Sequence, residues 1–246
     1  MGIKHVSIAS HGSMGLALHW NANHTIDGDV DFGQFQALKL VIEKGTAFPA
    51  GPVAGQVFFR TDLGALYVYD GVSWEGYVPP IQKYEFFDAG DDSDAIFYGA
   101  SWYAQTFTLG VVATNEDIAV NYVMLKLQRQ GNPGNLTVSI RAVDALGKPY
   151  GPDLATGTID GNTIPTTVGG TWVKIPLTAA TLLAATKYAI VMRCPTGSGG
   201  NQLLWSTDSS APAYAGGSEA SSLNSGVTWT LEPTWDGYFE VWGRPA

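Results

Sequence analysis

Four aspartates lie close together in the sequence, and their carboxylates could bind a metal ion. Asp88, Asp91, Asp92 and Asp94 fall within the stretch 88–94. Carboxylate oxygens in loops are the ligands that Ca²⁺ prefers, but an EF-hand loop also needs a fixed glycine and a distal glutamate, and this order does not match. The pattern favours a solvated acidic linker. It leaves a weak calcium site at these four residues as the alternative.

A polar, aromatic stretch in the last third of the chain has the composition of a sugar-binding surface. Residues 205–229 combine tryptophan with Gly, Ser, Asn and Asp and contain no Lys or Arg. Exposed aromatic faces can stack on sugar rings, while acidic side chains bind the hydroxyls. We predict that any glycan site is lined by Trp205, Asp208, Tyr214 and Trp229. The alternative is a plain variable loop whose tryptophans pack into the core.

The sequence gives no sign of catalysis. It contains no nucleophile elbow, zinc-protease helix or phosphate-binding loop. Paired carboxylates for glycoside cleavage remain an alternative, because such pairs meet only in three dimensions. His5, His11, His19 and His24 could bind zinc or iron around a fibre axis, but packing or surface roles are the default. We expect no enzymatic activity, no catalytic residue, and no cofactor apart from calcium at the aspartates.

The composition of the chain limits the classes of partner that it can bind. The net charge of −9 opposes binding to a nucleic-acid backbone, which needs clustered Lys and Arg. Cys194 is the only cysteine, so stability must come from packing rather than from an intrachain disulfide. The N-terminal residues lack the apolar core of a signal peptide, and no apolar run approaches membrane-spanning length. We therefore expect a chain made in a cytoplasm that does not insert into a membrane.

Regularly spaced strands follow residue 84 and predict an all-β domain. Alternation places Val123, Leu125 and Leu127 on one core-facing side, and Val138, Ile140 and Ala142 on another. The turn residues 132–135 predict that these two strands form a hairpin. The predicted strands are Tyr103–Leu109, Ala119–Arg129, Leu136–Asp144, Thr171–Leu177, Lys187–Arg193, Gln202–Thr207, Thr228–Leu231 and Tyr238–Trp242. Eight strands without helical interludes favour a β-sandwich of the jelly-roll type.

A clear hairpin signal lies upstream, in residues 51–76. The strand-like runs 56–60 and 65–69 flank an Asp-containing turn that ends at Gly64. Because an isolated hairpin is marginal in water, a partner surface must complete it. We predict that its aromatic side chains serve oligomerisation or attachment; they are Phe58, Tyr67, Tyr69 and Trp74.

The chain thus divides into two predicted domains. Residues 1–80 form an N-terminal attachment module, in which an extended arm over 1–50 precedes the hairpin. Residues 81–246 form the jelly-roll β-sandwich. The boundary is set at Pro79-Pro80, since paired prolines favour an extended linker.

Two resemblances support this division. The hairpin pattern, Gly-Gln and an aromatic residue followed by Thr-Asp, Leu-Tyr-Val-Tyr-Asp-Gly and Ser-Trp, resembles modules of phage tail, fibre and virion-surface proteins. The second region is similar to choice-of-anchor jelly rolls and related lectin-like sandwiches. Its matching segments are 104–108, 123–127, 134–140, 187–191 and 239–243. These resemblances imply a virion-surface protein whose sandwich serves adhesion or carbohydrate contact.

The expected function is a non-enzymatic structural component of a phage virion, assembled in the host cytoplasm. Tail fibre, head fibre and head decoration all fit this class. The expected partners are other virion proteins, further copies of the chain in an oligomer such as a trimer, and a host surface glycan. The rival class is a free carbohydrate-binding module or glycan-processing enzyme.

Overall fold

The computed structural model describes residues 42–246, and this part of the chain is all-β. Its one helical segment is a short 3₁₀ turn at Gly161–Thr163. The chain separates into two compact units between Val78 and Pro79. The early histidines and most of the predicted arm lie outside the described residues.

The first unit is a small four-stranded sheet. Its strands are β1 (Lys44–Gly45), β2 (Val57–Arg60), β3 (Ala65–Tyr69) and β4 (Trp74–Gly76), in that order across the sheet. β2 and β3 form the predicted antiparallel hairpin, whereas β1 pairs with β2 in parallel. Gly64, at φ 63°, supplies the left-handed backbone that the hairpin turn requires.

An aromatic cluster gives this sheet a small core of its own. Phe48 stacks on Trp74 with ring centroids 4.9 Å apart and meets Tyr67 edge-on at 5.0 Å. Phe58 packs beside them and is only 2% exposed, so its predicted contact with a partner is corrected to internal packing. The expectation that a partner surface must complete the hairpin fails, because the ring of Phe48, upstream of the hairpin, covers the sheet. Tyr67, Tyr69 and Trp74 remain half-buried.

The second unit is a β-sandwich of two antiparallel sheets. The strand bounds are β5 (Gln82–Phe87), β6 (Ser93–Phe97), β7 (Trp102–Thr108), β8 (Ile118–Gln130), β9 (Asn135–Val143), β10 (Pro149–Asp160), β11 (Thr171–Leu182), β12 (Lys187–Arg193), β13 (Gln202–Asp208), β14 (Glu219–Ser222), β15 (Thr230–Glu232), β16 (Asp236–Gly237) and β17 (Phe239–Pro245). The six-stranded sheet has the order β10-β9-β12-β7-β14-β15. The seven-stranded sheet has the order β16-β13-β8-β17-β5, and in addition β11 pairs with β8 and β6 pairs with β13. The predicted all-β sandwich is confirmed, while jelly-roll connectivity stays a prediction.

The apolar alternation of β8 and β9 is confirmed, but the hairpin predicted between them is wrong. Val123, Leu125 and Leu127 are fully buried, as are Val138 and Ile140, whereas the predicted core residue Ala142 is half-buried. β8 pairs with β11, β13 and β17, and β9 pairs with β10 and β12. The turn at 132–135 therefore carries the chain from one sheet to the other. The two apolar faces then pack on the shared core between the sheets.

Trp205 is the largest fully buried side chain, and it packs directly on the backbone of β16. Its Nε1 donates a hydrogen bond of 2.8 Å to the carbonyl oxygen of Tyr238. A Cβ atom placed on Gly237 would lie 1.8 Å from the indole ring. Only glycine therefore allows the strand to pass beneath this tryptophan.

We expect Gly237→Ala to lower the free energy of unfolding by about 3 kcal/mol or more, because overpacking a dense core is costly. Denaturant titration of the purified chain measures this effect. Gly199→Ala is the matched control, since a Cβ there meets no atom within 4 Å. Equal stability of the two variants would contradict close packing at Gly237.

Candidate functional site

The four residues predicted to line a glycan site do not form an open surface. Trp205 is 0% exposed, so its ring has no face for a sugar, and the predicted stacking role is corrected to core packing. Asp208, Tyr214 and Trp229 are also buried. Asp208 accepts hydrogen bonds from the backbone N–H groups of the turn that follows it. The polar composition of residues 205–229 reflects turns and buried hydrogen bonds at these positions.

Tyr214 belongs to a buried polar network. Its hydroxyl donates to Glu85 Oε1 at 2.9 Å, and its backbone N–H donates to Asp236 Oδ2 at 3.0 Å. Gln105 Nε2 donates to Asp236 Oδ1 at 3.2 Å, while Gln105 Oε1 accepts from the N–H of Gly237 at 2.8 Å. Burial raises the pKa of both Glu85 and Asp236, and the hydrogen bonds they accept oppose that rise. The network connects strands of both sheets, and its role is to hold the two sheets together.

The predicted calcium ligands each have separate surroundings. Asp91 forms an ion pair with Lys126, Asp92 accepts from the N–H and hydroxyl of Ser209, and Asp88 is exposed. Across residues 42–246, no group of three or more His, Cys, Asp or Glu side chains is arranged to hold a metal ion. The calcium prediction is therefore corrected, because Asp91 is already paired with Lys126 and Asp92 with Ser209. The last two residues of the stretch 88–94, Ser93 and Asp94, begin strand β6.

A different set of side chains converges at the edge of the six-stranded sheet, where it meets β6. They enclose a cleft of about 260 Å³, and we call it the acidic cleft. Glu219 on β14 and Glu232 on β15 are directly paired across the strands, and Ser221 on β14 is paired with Tyr103 on β7. The lining residues are Asp94, Ala95, Tyr103, Glu219, Ser221, Glu232 and Trp235.

Glu219 is the most perturbed group of the acidic cleft. It is 2% exposed, and its Oε2 accepts no hydrogen bond from the described residues. Burial, followed by repulsion from Glu232 and Asp236, raises its pKa to about 8. Glu219 is therefore largely protonated at neutral pH and can donate a hydrogen bond. Burial and the same Glu219 and Glu232 carboxylates also raise the pKa of Tyr103.

A second depression, which we call the basic groove, lies between the β9–β10 connection and the 226–229 loop. Its volume is about 390 Å³, and Arg141, Lys148, Tyr150 and Trp229 are among its lining residues. Arg141 also forms an ion pair with Asp153. Asp144 also lines this groove, so its lining carries both signs of charge, whereas no Lys or Arg lines the acidic cleft.

Sequence patterns missed the acidic cleft because its two glutamates come together only through strand pairing. The one sequence feature that could have indicated the cleft is Glu219, which is the one glutamate of residues 205–229. No family model, curated protein or solved structure matches the chain. Within residues 42–246, no helix has the length and hydropathy needed to cross a bilayer.

The raised pKa of Glu219 makes the stability of the sandwich depend on pH. Its folded-state pKa lies above the ordinary value of 4.5, so its contribution is complete below about pH 4.5 and is lost as the pH rises through 8. Glu219→Gln removes this titration. We expect the variant to gain stability relative to the unmodified chain as pH rises from 5 to 8, by at most about 1.4 kcal/mol per pH unit.

Urea titrations of both proteins at pH 5, 6.5 and 8 measure this difference. The comparison of the two proteins at pH 5 is the internal control. Glu219 is mostly protonated there in the folded chain, so it resembles glutamine. A stability difference that stays constant with pH would contradict titration of Glu219 in this range.

Proposed function

We propose that this chain is a structural component of a phage virion whose N-terminal unit attaches to the particle and whose β-sandwich contacts a host surface glycan. The observation that carries the adhesive role is the acidic cleft, a concave, aromatic and polar site on a sandwich with a closed core. The virion location is supported by the resemblance of the hairpin sequence to phage fibre and tail modules.

The acidic cleft has the chemistry that sugar recognition uses. Tyr103 and Trp235 supply aromatic surface, which can contact the C–H face of a sugar ring. Protonated Glu219 can donate a hydrogen bond, while Glu232 can accept one. Neighbouring hydroxyls of a sugar both donate and accept, so such a pair of groups suits them. Pockets for drug-sized ligands measure roughly 300–1,000 Å³. The smaller volume here fits one sugar unit at a time.

The small sheet is suited to attachment. Its edge strands β1 and β4 are only two and three residues long, which disfavours edge-to-edge pairing and leaves its aromatic side chains as the surface for attachment. Tyr69 packs against Trp74 with ring centroids 5.5 Å apart, and both remain half-buried. Association with a second copy would remove more of this aromatic surface from water.

We expect the full chain to be an oligomer in solution and Tyr69→Ser to shift it toward the monomer, because the substitution removes apolar surface from the small sheet. Size-exclusion chromatography with light scattering measures the mass. Tyr150→Ser is the control, since Tyr150 lies in the sandwich and is 66% exposed. Far-ultraviolet spectra establish that both variants fold. A monomeric full chain would contradict self-association.

Antibodies raised against the chain test the virion assignment directly. They should label purified particles and should block adsorption of those particles to host cells. Absence of the chain from particles would overturn the virion assignment.

The Glu219 and Glu232 pair favours a second candidate function, glycoside hydrolysis. Two carboxylates in different environments can divide the roles of acid and of nucleophile or base. Glu219 holds its proton at neutral pH, as a general acid must. Glu232 accepts from the Ser221 hydroxyl at 3.4 Å and would take the second role.

A turnover assay separates binding from hydrolysis. Under the adhesive proposal, the chain binds a host oligosaccharide and releases it uncleaved. Under the alternative, cleavage occurs, and Glu219→Gln lowers the rate by roughly 100-fold or more, the usual value of general acid catalysis. Chromatography of the sugar after prolonged incubation decides between the two.

A further inference from the structure

We propose that the acidic cleft binds a sugar that carries a free, protonated amino group. The inference rests on the adhesive role proposed above and names the class of glycan. Three properties of the cleft support it: its charge, the unpartnered oxygen of Glu219, and the arrangement of its aromatic side chains.

The charge of the acidic cleft selects against anions. Asp94, Glu219 and Glu232 line it, and Asp236 lies close enough to Glu219 to act on its charge. No Lys or Arg is among the lining residues. A sugar bearing a carboxylate, sulfate or phosphate would meet repulsion from this site. A cation would be attracted by Glu232 and Asp94, and by Glu219 once that residue gives up its proton.

The buried oxygen of Glu219 lacks the donor that a cation would bring. Oε2 of Glu219 accepts no hydrogen bond within the described chain, although this residue is almost fully buried and lines the cleft. Buried acceptors are normally satisfied, and leaving one unpaired is costly. An ammonium group has three donors and can bond Glu219 and Glu232 together.

An amine fits this site better than a metal ion does. The carboxylates of the described residues do not converge as a set of metal ligands. An ammonium group needs fewer oxygens than calcium, which takes six to eight. It also gains from an aromatic face, which Tyr103 and Trp235 can supply.

A sugar amine fits better than a lysine side chain. The amine of an amino sugar is fixed on a rigid ring, and hydroxyl groups flank it. Ser221 and Tyr103 line the same cleft and can bond those hydroxyls. Lysine would lose the freedom of a long flexible side chain on binding, and it has no hydroxyl group to bond Tyr103 or Ser221.

Isothermal titration calorimetry of the full chain with matched tetrasaccharides tests the proposal. The ligands are the β-1,4 tetramers of glucosamine, N-acetylglucosamine and glucose, which share a linkage and differ at one substituent. We expect the glucosamine tetramer to bind at least tenfold more tightly than the other two. Glu219→Gln and Glu232→Gln should each weaken that binding at least tenfold. Lys148→Gln, in the basic groove, is the matched control and should leave it unchanged.

The proton balance gives a second readout at pH 5.5, where the amine of the sugar is already protonated before it binds. An ammonium group held by Glu219 favours its carboxylate, so binding should release a proton despite the facing groups Glu232, Asp94, Asp236 and Tyr103. Titrations in two buffers of different ionisation enthalpy measure that release. Glu219→Gln should abolish it.

The failing outcomes are distinguishable. Equal binding of all three tetramers, weakened by Glu219→Gln, would overturn the requirement for an amine and leave the adhesive function standing. Binding of a lysine-rich peptide but of no saccharide would overturn both the amino-sugar proposal and the glycan-binding role. Unchanged binding in both glutamate variants would place the ligand outside the acidic cleft and overturn the proposal.

Discussion

The sandwich depends on the close packing of Trp205 against Asp236–Gly237. The indole ring occupies the space that a side chain on Gly237 would need. Around this contact, the N–H of Gly237 donates to Gln105, and the carbonyl oxygen of Tyr238 accepts from the indole. Gln105 lies in one sheet, whereas Trp205 lies in the other. One short segment therefore satisfies its polar groups and joins the two layers.

The same segment positions the acidic cleft. The N–H of Glu219 donates to the carbonyl oxygen of Trp235 at 2.9 Å, directly before Asp236 in the chain. Asp236 is bonded into the structural network, and its charge also contributes to the raised pKa of Glu219. The core and the cleft are thus electrostatically coupled. A substitution at Asp236 would alter the ionisation of Glu219 even if the cleft kept its shape.

Sequence patterns predicted the strands whose side chains alternate cleanly, as β8 and β9 do. They missed β10, because Pro149, Gly151 and two shifts of register interrupt its pairing with β9. They also missed β6, because acidic residues surround it and only Ala95 and Phe97 face the core. The acidic cleft could not be predicted locally, since Glu219 and Glu232 meet through the register of two short strands. The predicted aromatic site failed because composition does not distinguish a buried tryptophan from an exposed one.

The position of β17 has a consequence for biosynthesis. This strand, residues 239–245, lies between β8 and β5 and pairs with both. The seven-stranded sheet therefore stays open until the ribosome has released a segment far downstream of β5. Such long-range pairing slows folding. Until then, the edges of β5 and β8 are exposed to other nascent chains. The sandwich can therefore close only after β17 has been synthesised and has left the ribosome.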